Sequence, residues 1–492
     1  MRVKSGLALC CLGWLGCGDA PLDATSREEP ALAQVTAQVC SGLAQRVKIV
    51  VPPGTPESPA FIVAPSGLVD VQGTLYFGVN FQDGRATLWR SQGTDASTVP
   101  VKSFPATTPA RNRELGPLVA TGNKLFFRVW NADTGLEPWI SDGTEVGTHL
   151  VKDVTPGPGD SQMSLVTAQS GAVTFFLSVP LSSPPRTQVE LWRSNGTAAG
   201  TVQVVNFGTE ASLSSQSMRV GNALLFFLSQ PDGGTTLWRT DGTAGGTAFV
   251  KRLDSGVVPV GDVGSTEDGG RALFTLHDGA NTEVWKTNGT AAGTVRLETF
   301  GKSMRMLGSL GGFVYLTNAD PATQRLGLYR VALAGGGKAT ITQLPNPFAN
   351  QPDALPFLQE VARSNGKLYF SVAISSPSPS PRTVRLWVTD GTAAQTRQLP
   401  GFLSVSDEYI SPVFATGASA VLFSAAPLTA FTNLWVTRGT DATTAEVTTS
   451  PPLETSSPFG FARSGTRVFY AARDDTSRYQ LWAVPANISC TP

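Results

Sequence analysis

The hexapeptide Trp192-Arg193-Ser194-Asn195-Gly196-Thr197 has close copies along almost the whole chain, and this repetition restricts the fold more than any other property of the sequence. Copies begin at Trp89, Trp139, Trp238, Trp285, Trp387 and Trp435. Each has Ser or Thr two residues on and then Gly-Thr, with Gly143, Gly196, Gly242, Gly289 and Gly391 in the glycine place. A period of about 50 residues marks a propeller, solenoid or array, because one unit of that size cannot bury its own apolar face and must stack on the next.

Within each unit the pattern predicts four strands. A short apolar segment, a turn such as Gly122-Asn123 and an apolar strand such as 124–129 come first. A variable loop, the Trp strand, the Gly-Thr turn and an outgoing strand follow. Four short strands per repeat make the blade of a β-propeller. Composition agrees: Gly (51) and Pro (35) are abundant, and the apolar segments are rich in Val, Phe and Thr, an all-β profile.

Counting second strands from Leu75-Tyr76-Phe77 to Val468-Phe469-Tyr470 gives nine units. Nine blades are therefore expected, with eight as the alternative if one unit is irregular, and an open stack of hairpins as the alternative architecture. The sixth unit has Leu328-Tyr329 in place of Leu-Trp and Gly335-Gly336-Gly337 in place of the usual turn. The ninth keeps Leu481-Trp482 but lacks an outgoing strand. A strand at 47–51, which has no hairpin partner nearby, would complete that last blade and close the ring. Such closure also brings Cys40 and Cys490, at opposite ends of the repeats, within reach of a disulfide.

The N-terminus has the form of an export signal: Arg2 and Lys4 precede an apolar run too short to cross a bilayer. Trp14-Leu15-Gly16 before Cys17 resembles the lipobox of bacterial lipoproteins, which implies acylation of Cys17. The expected organisation is a signal peptide at 1–16, a lipid-anchored tether at 17–45 with a helical turn or two over 35–45, and the propeller at 46–492.

Glu190-Leu191-Trp192-Arg193-Ser194-Asn195-Gly196-Thr197 resembles the repeat of the bacterial ELWxxDGT family, and the resemblance runs from about Leu68 to Trp482. The family is named for a motif, so the resemblance implies surface location and architecture more than chemistry. Trp89, Trp139, Trp192, Trp238, Trp285, Trp387, Trp435 and Trp482 are expected to fill the gaps between blades, each contributing about 2–3 kcal/mol. The Asp/Asn-Gly pairs supply tight turns. Calcium at Asp142, Asp241 and Asp390 is disfavoured, since Gln92, Asn195, Asn288 and Arg438 stand in the same place elsewhere and the ion needs six to eight oxygens.

Catalytic candidates are few. His149 and His277 lie in different units without metal-ligand spacing, no Gly-x-Ser-x-Gly elbow or phosphate-cradling loop occurs, and Asp474-Asp475 is expected to be solvated. Ala132-Asp133-Thr134-Gly135 before Trp139 resembles the tryptophan-docking repeat of quinoprotein dehydrogenases, but in one unit only. Lys plus Arg equals Asp plus Glu at 37 each with no basic run, which argues against a nucleic-acid partner.

The long Pro-rich loops at 178–186 and 375–382 fall in the same slot and are expected on one rim. The expectation is a monomeric, cofactor-free cell-envelope propeller, an outer-membrane lipoprotein or a secreted protein. It would present that rim to a protein or polysaccharide as a non-enzymatic scaffold. The alternative is a propeller enzyme acting on a glycan through carboxylates at the channel.

Overall fold

Nine four-stranded antiparallel units follow one another in the computed structural model. It describes residues 38–490 except 59, 107–114, 183–184, 210, 260–265, 269, 348, 350–354, 375–382, 401–411, 426–431 and 454. The first strands of blades 1 to 9 are Pro65–Val71, Val119–Thr121, Met163–Gln169, Ser212–Val220, the split pair Val258–Pro259 and Thr266–Asp268, Arg305–Leu310, Phe357–Ser364, Val413–Ala415 and Ser456–Ser464. Successive first strands abut one another around the ring, so they form its inner wall. The chain then steps outward through the second, third and fourth strands.

Closure is observed directly. The N-terminal strand Gln38–Lys48 is the fourth strand of blade 9, where Lys48 pairs with Leu481 and Gln45 with Ala483. Its first half runs parallel to the outer strand Ala445–Thr449 of blade 8, so one strand ties two blades together. Gly42, at φ +67°, lies in the register break between Cys40 and Ala44, and the strand passes from blade 8 to blade 9 between Ala44 and Gln45. Cys40 and Cys490 are joined in a disulfide with Cα atoms 5.2 Å apart. The chain is thus a ring of nine blades among the described residues, and neither the eight-bladed count nor the open stack applies.

Three expectations need correction. Residues 38–45, assigned to the tether, belong to the fold as strand and not helix: their backbone is taken up by blade 8 and Cys40 is fixed by its disulfide. The strand expected at 47–51 ends at Lys48. Beyond it, the Val50 and Val51 N–H groups donate to Gln480 Oε1 at 2.8 and 3.0 Å, and Gln480 Nε2 donates back to the Val51 carbonyl. The segment 178–186 is not a free loop, because the second and third strands of blade 3, Ala172–Ser182 and Pro185–Ser194, run on through it as a long hairpin. The loop at 375–382 and Cys17 lie outside the described residues.

The core is divided among nine apolar clusters, one at each blade–blade junction. Eight include a repeat tryptophan: Trp139 at the junction of blades 1 and 2, Trp192, Trp238 and Trp285 at the next three, then Trp387, Trp435, Trp482 and, across the closure, Trp89. Tyr329 takes the place at the junction of blades 5 and 6. Each ring lies beside an aromatic or Leu of the second strand in register, as in Phe77 with Trp89 and Phe274 with Trp285. The indoles therefore act as wedges between sheets, as the sequence predicts.

Candidate functional site

Antiparallel pairing divides the loops between two faces. Turns joining first to second and third to fourth strands lie on one face, while second-to-third loops and blade-to-blade connections lie on the other.

On the first face the Gly-Thr turn is a closed hydrogen-bonded unit. In blade 2 the Gly143 N–H donates to Ser141 Oγ (3.0 Å), while the Thr144 N–H and hydroxyl both donate to Asp142 Oδ1 (2.9 and 2.7 Å). Gly147 N–H donates to Thr144 Oγ1 (2.9 Å), and Ser141 and Thr148 share a buried hydroxyl pair at 2.7 Å. These bonds hold the Asp142 carboxyl below its usual range, with the Thr144 hydroxyl the largest cause. Asp241 and Asp390 make the same bonds to Thr243 and Thr392, so their carboxylates are spent within the turn, as structural turn chemistry requires.

A Cβ on Gly147 would lie 2.0 Å from Asp142 Oδ1, and the same clash holds for Gly200 with Asn195, Gly246 with Asp241 and Gly293 with Asn288. Where Asp or Asn is missing, the glycine is missing too. Gln92 is matched by Ser97 and Arg438 by Thr443, whose hydroxyls accept the N–H groups of Thr94 and Thr440 that Asp would otherwise hold. Only Asp390 faces a larger residue, Gln395, and there the corresponding N–H to Thr392 Oγ1 bond lengthens to 3.3 Å. Gly147→Ser alone is expected to cost about 1–2 kcal/mol, and adding Asp142→Gln to recover at least about half of it. Urea denaturation of both singles and the double checks this; additive losses would refute the pairing.

The turn glycine also fits the preceding blade. A Cβ on Gly143 would meet Tyr76 Oη at 2.2 Å, one on Gly391 would meet Tyr315 Oη at 2.2 Å, and one on Gly196 would meet Ile140 Cδ1 at 2.3 Å. Gly242 packs against Thr174, whereas Gly289 faces open space because blade 4 offers nothing there.

On the opposite face one third-strand position, two residues before the Trp, differs in every way its surroundings demand. Glu190 and Glu283 accept the indole N–H of Trp192 and Trp285 (2.8 and 2.9 Å), and Thr236 does so for Trp238. Gln480 holds the N-terminal segment. Gly327 is covered by Tyr329, whose hydroxyl would lie 2.5 Å from a Cβ there.

Glu137 is the exception that makes a site. It is fully buried and leaves the Trp139 indole without a partner. Its carboxyl instead accepts the Val154 and Thr155 N–H groups (2.9 and 3.2 Å) and the Ser161 hydroxyl (2.6 Å). The connection between blades 2 and 3 is thereby pinned under the hairpin of blade 2. Leu136 N–H donates to Asp160 Oδ1 at 3.0 Å, and a Cβ on Gly135 would strike the Gly159 carbonyl at 2.4 Å. Asp153 accepts the Gly157 N–H through one oxygen, and its other oxygen is buried without a partner.

Burial pushes Glu137 up to about 7, against the three hydrogen bonds, and the nearby Asp153 carboxylate adds to the rise. Between about 4.5 and 7 the native state keeps a proton that the unfolded chain has lost. Stability therefore falls as pH rises through that window and levels off above it. The loss is on the order of 3 kcal/mol. Urea midpoints at about pH 5 and about pH 8 should show it for the wild type, while Glu137→Gln should lack it; equal pH dependence would exclude Glu137 as the source.

The two histidines do not come together. His149 is exposed on the outer strand of blade 2, and His277 Nδ1 lies 2.8 Å from the Asn281 carbonyl in blade 5. Asp474, expected to be solvated, is buried and paired with Arg46 at 3.0 Å, so this acidic pair belongs to the ring closure. Arg46 pairs with Asp475 as well.

No family model and no curated protein matches the chain. Solved structures similar in fold include the β-propeller domain of the Trilobed protease from Pyrococcus furiosus, at 10% identity over 68% of this chain and 98% of that one, with a TM-score of 0.36. A prolyl endopeptidase is 14% identical over 75% of this chain and 55% of its own (TM-score 0.41). A puromycin-hydrolysing peptidase of Mycobacterium tuberculosis is 12% identical over 87% and 61% (TM-score 0.41). The chain thus spans less than two thirds of those two peptidases. This finding corrects the expectation of a non-enzymatic binding scaffold, since the propellers in this group belong to a protease and to peptidases; the likeness itself extends to the fold.

Proposed function

We propose that this propeller serves peptide or amide hydrolysis, as the ring that admits substrate in a hydrolase, and that it is exported and attached to lipid at Cys17. The reaction class is taken from the names of the similar proteins, and the role of the ring from its closure. A disulfide, a shared strand and the Gln480 bonds all act at the junction where an open propeller would part. A ring sealed in this way does not gape to take in folded proteins, so substrate must be small or extended. The long hairpin of blade 3 and the segment pinned by Glu137 both lie on the loop-bearing face. A disulfide between chain ends also suits an oxidising, extracytoplasmic compartment.

The test compares peptidyl-aminomethylcoumarin and puromycin hydrolysis by the purified full chain and by envelope fractions of producing cells with and without it. Hydrolysis that disappears with the chain and returns on adding it back supports the reading; an inert purified chain together with unchanged fractions overturns it. Separately, Cys17→Ser is expected to move the protein from the membrane to the soluble fraction, and unchanged partition would remove the lipid part.

A further inference from the structure

The ends of the first strands, where the chain turns back into the second, carry cations out of proportion to a chain with 37 acidic and 37 basic residues. Arg219, Arg363 and Arg463 hold the same register place in blades 4, 7 and 9, opposite Leu224, Leu368 and Val468. Lys124, Arg271, Lys367 and Arg467 open the second strands of blades 2, 5, 7 and 9. Three acids share these positions, Asp70, Glu267 and Asp268. Asp70 is already occupied by the Ser464 hydroxyl (2.5 Å) and the Gly73 N–H (3.1 Å).

Because the first strands form the inner wall, Arg219, Arg363 and Arg463 stand at one mouth of the channel, with Lys124 and Arg271 one strand further out. Lys367 and Arg467 reach instead to the third-to-fourth turn of the next blade, at the Arg438 carbonyl and beside Gly93. The arginines are held in place by neighbouring blades: Arg219 Nη2 donates to the Ala168 carbonyl at 2.6 Å and Arg463 Nη1 to the Thr416 carbonyl at 3.1 Å. Carbonyl partners fix a guanidinium without neutralising it. Lys124, Arg363 and Arg463 are exposed. The turn aspartates follow the third strands and are engaged in their own turns. Of the exposed cations Lys124 stands near one of them, Asp142, and helps to hold its carboxyl low.

We infer that this mouth binds an acidic peptide segment, whose side-chain carboxylates meet the collar of guanidinium and ammonium groups. Charge of one sign around an opening raises the local concentration of an oppositely charged chain, and planar guanidinium groups suit carboxylates. The two aromatic rings at this level are already covered, Phe414 by Phe461 (5.7 Å) and Phe313 by Arg330 (4.7 Å). Both rings are half-buried with one face taken, so among the described residues little aromatic surface is left there for a sugar to stack on, which favours a peptide over a polysaccharide. The inference stands apart from the hydrolytic reading, since binding is measured without turnover.

The experiment is fluorescence anisotropy of a labelled oligo-glutamate peptide with the full chain at low ionic strength. Saturable binding is expected, weakened about tenfold or more by Lys124→Glu with Arg363→Glu and by physiological salt. Arg85→Glu, an exposed change on the opposite face beside Asp83, should leave it unchanged. Circular dichroism and melting of each variant confirm the fold, and the salt response of the wild type reads the same interaction without any substitution. No saturable binding, a flat salt response, or equal affinity of the folded double variant overturns the inference. Binding of polygalacturonate in place of the peptide overturns the peptide assignment.

Discussion

Replacing Cys40 and Cys490 together by alanine is expected to lower stability by several kcal/mol while leaving the native ring closed. The bond spans a sequence separation of 450, and the chain entropy it removes from the unfolded state sets a ceiling of about 6 kcal/mol. Native closure has other supports: pairing of Lys48 with Leu481, the Gln480 bonds to Val50 and Val51, and the Arg46–Asp474 ion pair beneath them. Near-UV circular dichroism of the double variant should therefore match the wild type under native conditions, while its urea midpoint falls. A midpoint unchanged between the variant and the oxidised wild type would show that the link does not constrain the unfolded chain. Adding Gln480→Ala should then open the junction, because two buried N–H groups lose their acceptor at about 1–3 kcal/mol each.

What the sequence made legible follows from repetition. The Trp, the apolar second strand and the missing ninth outgoing strand recur or fail at fixed places, and each reads onto a wedge, an inner sheet or the closure. The start of the fold was less legible, because 35–45 has no repeat to compare with. Its strand state is imposed by blade 8 and by Cys490, far away in sequence. The hairpin of blade 3 was hidden by its prolines, of which Pro180 and Pro185 lie in the last few pairs of the ladder, where they are tolerated.

The face chemistry divides in the same way. The exchange of Asp142 and Gly147 for Gln92 and Ser97 is visible in the chain itself, once residues five apart are compared between units. Glu137 could not be separated from Glu190 and Glu283 by inspection, since all three stand two residues before a Trp. Its different role is created by Val154, Thr155 and Ser161 in the next connection, and hence by tertiary contact. The basic mouth was equally hidden: Lys124, Arg219, Arg271, Arg363 and Arg463 come from five different blades, and only the ring assembles them.

Trp482→Ala is expected to be the costliest of the repeat-tryptophan substitutions, at about 3–5 kcal/mol. Trp482 is 0% exposed and lies among Leu422, Leu434, Val436 and Val484 at the junction of blades 8 and 9, beside the disulfide cluster. Trp285, Trp387 and Trp435 are buried to a lesser degree, and Trp89, Trp139, Trp192 and Trp238 keep part of the ring in solvent. Cavity cost grows with the volume that cannot collapse, and both neighbours of Trp482 are held by the shared N-terminal strand. Trp192→Ala should cost roughly half as much in transfer terms, although it also leaves Glu190 without its indole donor. Trp482→Phe isolates the ring from the polar atom. The Trp482 indole N–H is buried without a partner, so phenylalanine removes an unsatisfied donor along with some volume, and its loss should stay below about 2 kcal/mol. Urea midpoints for the three variants decide: a Trp192→Ala loss equal to or above that of Trp482→Ala would mean that the wedges bear load independently of their burial, and that the closing junction is no stiffer than the rest of the ring.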